Sequence, residues 1–267
     1  MSGAVACRKT ARRSPQGGFN LVELAVALVV MGLLLGGLMV PLTAQTEIKA
    51  RRETDRALAD IREALIGFAL VKGRLPCPAP ALTPSGNASA GLEARQNGAC
   101  SCAGGGNAAS AAGAPCAGTT AVGVLPWASL ALPETDAWGR RYTYAVSTLY
   151  GRDRGQDTFG CAVSMNPQFA GFALCSPGSV DLRTAAAGGA SLVSGGVPAL
   201  VVSHGRNGAG AFTPQGTRLA SGAADADELE NADGDDTFVS SASIDDQFAW
   251  VPIPILMQRM VAAGMLP

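Results

Sequence analysis

The chain has a single histidine, His204, few aromatic residues (5%) and few charged ones (15%). One histidine cannot supply the paired imidazoles of a catalytic zinc site. No G-x-S-x-G element and no P-loop is present, so the usual nucleophile elbow and phosphate cradle are missing. Ser203 precedes His204, but adjacent residues at a strand end point to opposite faces, and a Ser–His pair needs an orienting carboxylate from elsewhere. The expected role of His204 is that of a turn residue, and no enzymatic activity is expected. Net charge is −1. Arg140-Arg141 and Arg152-x-Arg154 are the main basic pairs beyond residue 80, too few to form the basic patch of a nucleic-acid binder. No nucleic-acid partner is expected.

What the chain has in excess is one apolar run. From Phe19 to Val40 it carries a single charge, Glu23, and it follows Arg8, Lys9, Arg12, Arg13 and the pair Gly17-Gly18. At about 1.5 Å per residue a helix over this run reaches about 33 Å, enough to cross a bilayer core. That exceeds the 7–15 apolar residues of an ordinary secretory signal. A carboxylate inside a span costs about 2.5–3.5 kcal/mol on insertion scales, so Glu23 is expected to have a partner. The basic residues place the N-terminus on the cytoplasmic side. Gly32, Gly36 and Gly37 permit close helix approach, and Pro41 is expected to kink or loosen the helix.

Gly18-Phe19-Asn20-Leu21-Val22-Glu23-Leu24 resembles the class III leader of type IV pilins and type II secretion pseudopilins. The resemblance implies cleavage between Gly18 and Phe19 by a prepilin peptidase and N-methylation of Phe19. It also implies that Glu23 pairs with the N-terminal amine of a neighbouring subunit and sets filament register. The implied partners are the prepilin peptidase, other pilin or pseudopilin subunits, an inner-membrane assembly platform and membrane lipid. The implied location is the bacterial inner membrane, single-pass with a periplasmic head, and then a filament.

The chain divides on this reading into a leader (1–18), a transmembrane helix (19–41), an amphipathic continuation (42–73) and an exported globular head (74–267). Leu58, Ile61, Leu65 and Phe68 recur at steps of three and four and form one apolar stripe. Gly73 is the expected stop, with Pro76, Pro78 and Pro80 beyond it. Strands are expected over 140–146, within 160–175, over 197–203, and at Phe238-Val239 and Phe248–Val251. A short helix is expected over 254–263. The expected fold class is α+β and pilin-like: a long N-terminal transmembrane helix packed on an antiparallel sheet with a disulfide-rich loop region.

Cys7 lies in the leader; Cys77, Cys100, Cys102, Cys116, Cys161 and Cys175 remain. An even set in an exported domain reads as disulfides. Cys161–Cys175 is the expected pair in the second half, and the other four close a Gly-, Ala-, Asn- and Ser-rich loop region over 77–123 with their pairing left open. Cys100-Ser101-Cys102 lacks the two-residue spacer of a zinc site.

Two patches of the head carry a further resemblance. Asp136-Ala137-Trp138-Gly139 with Tyr142 and Tyr144 is similar to a strand of pseudopilin heads. Val202-Ser203-His204-Gly205-Arg206-Asn207-Gly208 is similar to a turn of the major pseudopilin, with Asn207 where aspartate is frequent. From Asp225 to Asp246 the charged residues are all acidic. Asp233, Asp235 and Asp236 are candidate calcium ligands, since calcium takes several carboxylate and carbonyl oxygens; no other cofactor is expected. The resulting functional expectation is a structural subunit of a type II secretion pseudopilus or type IV pilus. A tip-located minor pilin acting as a binding module and an anchored exported enzyme are the alternatives.

Overall fold

The computed structural model describes residues 20–103, 108–111, 113–155, 169–186, 190–221 and 225–266, with the side chains of 34–43 left out. The chain forms two compact units, Met1–Thr46 and Glu47–Pro267. Helix α1 (Leu21–Lys72, 52 residues) contributes its first part to one unit and its second part to the other.

In the first unit α1 runs on through Pro41. Leu21, Val22, Leu24, Val26, Leu28, Val29 and Leu33 are all exposed along it. The expected transmembrane helix is corrected here, because among the described residues no helix is long and apolar enough to cross a membrane. Beyond Thr46 the helix carries Glu47, Lys49, Arg51 and Arg52. The pilin-like fold class and the single-pass inner-membrane location with a periplasmic head rested on that span, and both are overturned with it. The architecture observed is an α+β domain with open sheets.

In the second unit the helical stripe behaves as its spacing predicts. Leu58, Ile61, Leu65, Ile66 and Ala69 are buried, while Phe68 is left half-buried beneath Arg74. Gly73 ends the helix with φ +72°, its N–H bonded to the Ala69 carbonyl at 2.8 Å. A side chain there would meet the Phe169 carbonyl oxygen at 2.1 Å, so glycine is required both for its backbone angle and for space.

The stripe packs on one face of a four-stranded antiparallel sheet. Its strands are β4 (Thr120–Val124), β5 (Thr143–Ser147), β8 (Ala199–Ser203) and β10 (Gln247–Trp250), in the order β10-β8-β5-β4. Tyr144, Val146, Ala199 and Val201 face α1, together with Leu256 and Met260 of α4 (Ile253–Ala262). The opposite face, carrying Val122, Ala145, Leu200 and Val202, packs with Val180, Leu182, Val197 and Phe238 of a second sheet. That sheet consists of β6 (Val180–Arg183), β7 (Leu192–Val197) and β9 (Thr237–Val239) in the order β7-β6-β9, and its β6–β9 pair is parallel. A small sheet of β1 (Arg95–Gln96), β2 (Ala99–Cys102) and β3 (Ala114–Pro115) organises the cysteine-rich segment. Helix α2 (Trp127–Leu130) follows β4, and α3 (Ala226–Asp233) precedes β9.

Several expected elements shift. The strand expected over 197–203 is two strands, β7 and β8, parted at Pro198. β4 lies inside the segment read as loop, and β6 and α3 were not expected. Residues 169–175 are turns, and the rest of the strand region expected over 160–175 lies outside the described residues.

Leu65 is 1% exposed at the centre of the helix–sheet contact. Leu65→Ala should cost about 2–5 kcal/mol of stability, read as a lowered denaturant midpoint with unchanged slope.

Candidate functional site

Glu23 lies in the first turn of α1, where the unbonded N–H groups of a helix favour a carboxylate. Its own N–H bonds the Asn20 carbonyl at 2.9 Å. The side chain is exposed, and among the described residues no ion pair or hydrogen bond reaches its carboxylate. The residues around it, Leu21, Val22, Leu24 and Val26, are between 56% and 82% exposed. A lone carboxylate on an uncovered apolar helix face is what the structure offers at this position. Gly18 and Phe19, the expected cleavage junction, lie outside the described residues.

Two disulfides order the segment between α1 and β4. Cys77–Cys100 and Cys102–Cys116 are paired. Cys175 is also disulfide-bonded, and Cys161, its expected partner, lies outside the described residues. Beside Cys77 sits a cluster of ions. Arg74 bonds Glu93 at 2.7 Å and Asp153 at 2.9 Å, and Arg95 reaches Asp153 at 2.8 Å. Glu93 accepts the Cys77 N–H at 2.8 Å, and Arg95 Nη1 lies 3.1 Å from Cys77 Sγ. Burial, then the nearby Arg74 cation, lowers the Arg95 pKa. The network fixes Cys77 where the chain leaves α1.

The acidic segment opens in a helix. Asp225 caps α3 by accepting the Asp227 N–H, and Gly234 ends the helix in the left-handed region. Glu230, Asp233 and Asp235 bring carboxylate oxygens within 4.8 Å of one another. Burial and neighbouring carboxylates raise the pKa of both Glu230 and Asp233. Asp236 stands outside this trio; its backbone carbonyl accepts the Asp181 N–H at 2.8 Å, in line with the β6–β9 pairing. The helical period puts Glu230 and Asp233 on one face, a signal that could have replaced Asp236 by Glu230. The trio would supply three of the six to eight oxygens that calcium takes.

His204 opens a turn, its carbonyl accepting the Gly208 N–H at 2.9 Å, but its ring is turned into the interior. It is 1% exposed, with Nε2 2.8 Å from Thr143 Oγ1 and Nδ1 3.7 Å from Asp246 Oδ2. Asn231 donates to the same Asp246 oxygen at 2.8 Å and makes two further bonds with the Val239 backbone. His204 Nδ1 and Asp246 Oδ1 are buried without a hydrogen bond. Ser203 points the other way and donates to Asp136 at 2.7 Å. Burial, reinforced by Arg218 and Arg140, lowers the His204 pKa to about 4. Burial raises that of Asp246 to about 7 despite the Asn231 bond, with Asp245 and Glu228 adding to the rise. The 3.7 Å contact is therefore not an ion pair near neutrality, because burial keeps the imidazole neutral there. The following turn is pinned by Asp245, which accepts the Arg206 and Asn207 N–H groups at 2.7 and 3.1 Å.

Arg141, one of the basic residues considered above, is fully buried. It bonds Glu134 and the carbonyls of Ala81, Thr83 and Pro214, and its guanidinium lies over the Trp127 ring at 4.6 Å. It is an internal clamp rather than a contact for phosphate.

Compared with known proteins, the chain matches no family model, no curated protein and no solved structure.

Replacing both Cys102 and Cys116 by serine opens a loop with a sequence separation of 14. The expected loss is about 3 kcal/mol, measured by denaturant unfolding under oxidising conditions.

The His204–Asp246 pair makes a second prediction. Asp246, with a raised folded pKa, contributes stability below its unfolded value of about 4 that is lost as pH rises through about 7. His204, with a lowered folded pKa, contributes stability above about 6.5 that is lost as pH falls through about 4. Between these limits the two slopes oppose one another. Asp246→Asn should remove one of them, so that the variant's stability rises with pH from about 4 to about 6.5 relative to the parent chain. Parallel stability–pH curves would contradict the assignment.

Proposed function

We propose that the chain is a processed structural subunit of a type II secretion pseudopilus or type IV pilus. In this reading a prepilin peptidase removes residues 1–18, and the mature chain is built into a filament through the first part of α1. The proposal rests on the segment around Glu23 and not on a pilin-like fold, which the described residues do not form. The observation that carries it is the uncovered apolar helix face, Leu21 to Leu33, with Glu23 as its one unpaired charge.

An exposed apolar side chain of this size forgoes about 1.5–3 kcal/mol of burial, and contiguous apolar patches mark interaction surfaces. Copies of the same helix offer a matching face. The amine created at Phe19 by cleavage would give Glu23 of a neighbouring copy its counter-charge. Because one carboxylate would then have one partner, the pair would set the axial register between copies. The Glu47–Lys72 part of α1 is committed to the domain core through Leu58, Ile61 and Leu65. The exposed residues Leu21 to Leu33 are left to partners.

N-terminal peptide mass spectrometry, with and without a co-expressed prepilin peptidase, tests the first step. The expected product begins at N-methylated Phe19; an uncut chain, or a cut near residue 44, would end the proposal. In the processed protein, Glu23→Ala should leave cleavage intact and reduce recovery in sheared filaments severalfold. Normal incorporation of that variant would remove the register argument.

A further inference from the structure

Of the seven asparagines in the chain, Asn87 alone has a hydroxyl residue two positions on, in Asn87-Ala88-Ser89. This pattern is the acceptor sequence for N-linked glycans in exported proteins. A three-residue pattern recurs by chance, so the fold around it decides.

The turn that carries it is open. Residues 84–89 are all exposed. Gly86, at φ +90°, has nothing within 4 Å of the place a Cβ would take, which leaves free space beside the asparagine. The segment is still anchored at both ends. The Ser85 N–H bonds the Pro214 carbonyl at 2.7 Å, and the Leu92 N–H bonds the Ser89 carbonyl at 3.2 Å.

The Asn87 side chain is turned back on Ser89. Its Oδ1 accepts both the Ser89 N–H and the Ser89 hydroxyl, each at 2.9 Å. A backbone N–H can only donate, so it fixes which end of the amide faces Ser89. Nδ2 is left without a partner among the described residues. A carboxamide nitrogen is a poor nucleophile because its lone pair is delocalised into the carbonyl. Two hydrogen bonds donated to Oδ1 polarise the amide and make an Nδ2 proton easier to remove.

The cysteines supply the setting. Asn87 lies inside the loop closed by Cys77–Cys100, and Cys102–Cys116 follows it. Disulfides form and persist in oxidising, exported compartments, where N-linked glycans are also added.

We propose that Asn87 carries an N-linked glycan, transferred from an oligosaccharide on a polyprenyl diphosphate. The bond from Nδ2 to sugar C1 forms as the bond from C1 to the diphosphate oxygen breaks. The diphosphate leaves with the electron pair, and the Nδ2 proton passes to a base of the transferase; nothing is oxidised or reduced. The site does not rest on the filament reading.

The test is peptide mass spectrometry of the full-length chain isolated from the cells that make it, with fragmentation that keeps a glycan on its residue. A glycan is expected on Asn87 and on none of the other six asparagines. An amidase that cuts the sugar–asparagine bond should leave aspartate at position 87. Expressed in the same cells, Asn87→Gln, Ser89→Ala and Ala88→Pro should each lose the glycan, while Ser89→Thr should keep it. Asn87→Gln alters an exposed side chain, so its disulfide content should match that of the parent chain and show that export and folding are intact. An unmodified Asn87 in the parent chain would overturn the proposal. So would a glycan that survives Ser89→Ala, or one carried on a different residue.

Discussion

The structure depends on burying one helical stripe, Leu58 to Ala69, against one face of the β10-β8-β5-β4 sheet. That contact decides where the chain can go next. With α1 covering one face, the second sheet must cover the other, and it does so through Val180, Leu182, Val197 and Phe238. The central strands are then buried on both sides; every residue of β5 and of β8 is buried. An antiparallel sheet usually keeps one wet face and a clean alternation of apolar and polar residues. Here that alternation is erased, because small apolar residues must serve both faces.

Burial on both sides also traps polar groups, and the way they are paired organises the irregular segments. Arg141 is inside because the sheet edge is covered, and it collects carbonyls from Ala81, Thr83 and Pro214, positions far apart in sequence. The Tyr144 hydroxyl reaches the Pro76 carbonyl at 3.0 Å from the α1 side of the same sheet. An unpaired buried polar group costs about as much as several good contacts supply. Each such bond therefore fixes a stretch of chain too poor in apolar residues to fix itself. The disulfides Cys77–Cys100 and Cys102–Cys116 do the same covalently for a Gly- and Ala-rich segment. Burial holds the His204 imidazole neutral and pushes the Asp246 carboxyl toward its protonated form.

Parts of this were legible in the chain. The 3.6-residue period around Leu58–Leu65, the stop at Gly73, the strand at β10 and the helix α4 are local patterns with local causes, and they fall where the patterns put them. α3 was also legible: Asp225 is a helix cap and Gly234 a helix end, though the acidic composition of the segment obscures both. The split at Pro198 follows from the missing N–H of proline. The apolar run after Phe19 was read as a span from its length and composition. Composition alone did not settle it: among the described residues no helix is long and apolar enough to cross a membrane. β7 carries no strong period because it is glycine-rich and exposed along much of its length, and β6, Val-Asp-Leu-Arg, alternates over only four residues.

The sequence by itself determined which segments are helical and where they stop, the even set of cysteines in the domain, and the isolation of Glu23 in an apolar run. These are set by neighbours a few residues apart. Only the tertiary structure decided that His204 is buried beside Thr143 and Asp246. The same holds for the internal position of Arg141. Each joins residues from separate strands and turns, and the burial that fixes them comes from packing one layer on another, which no local pattern in the chain encodes.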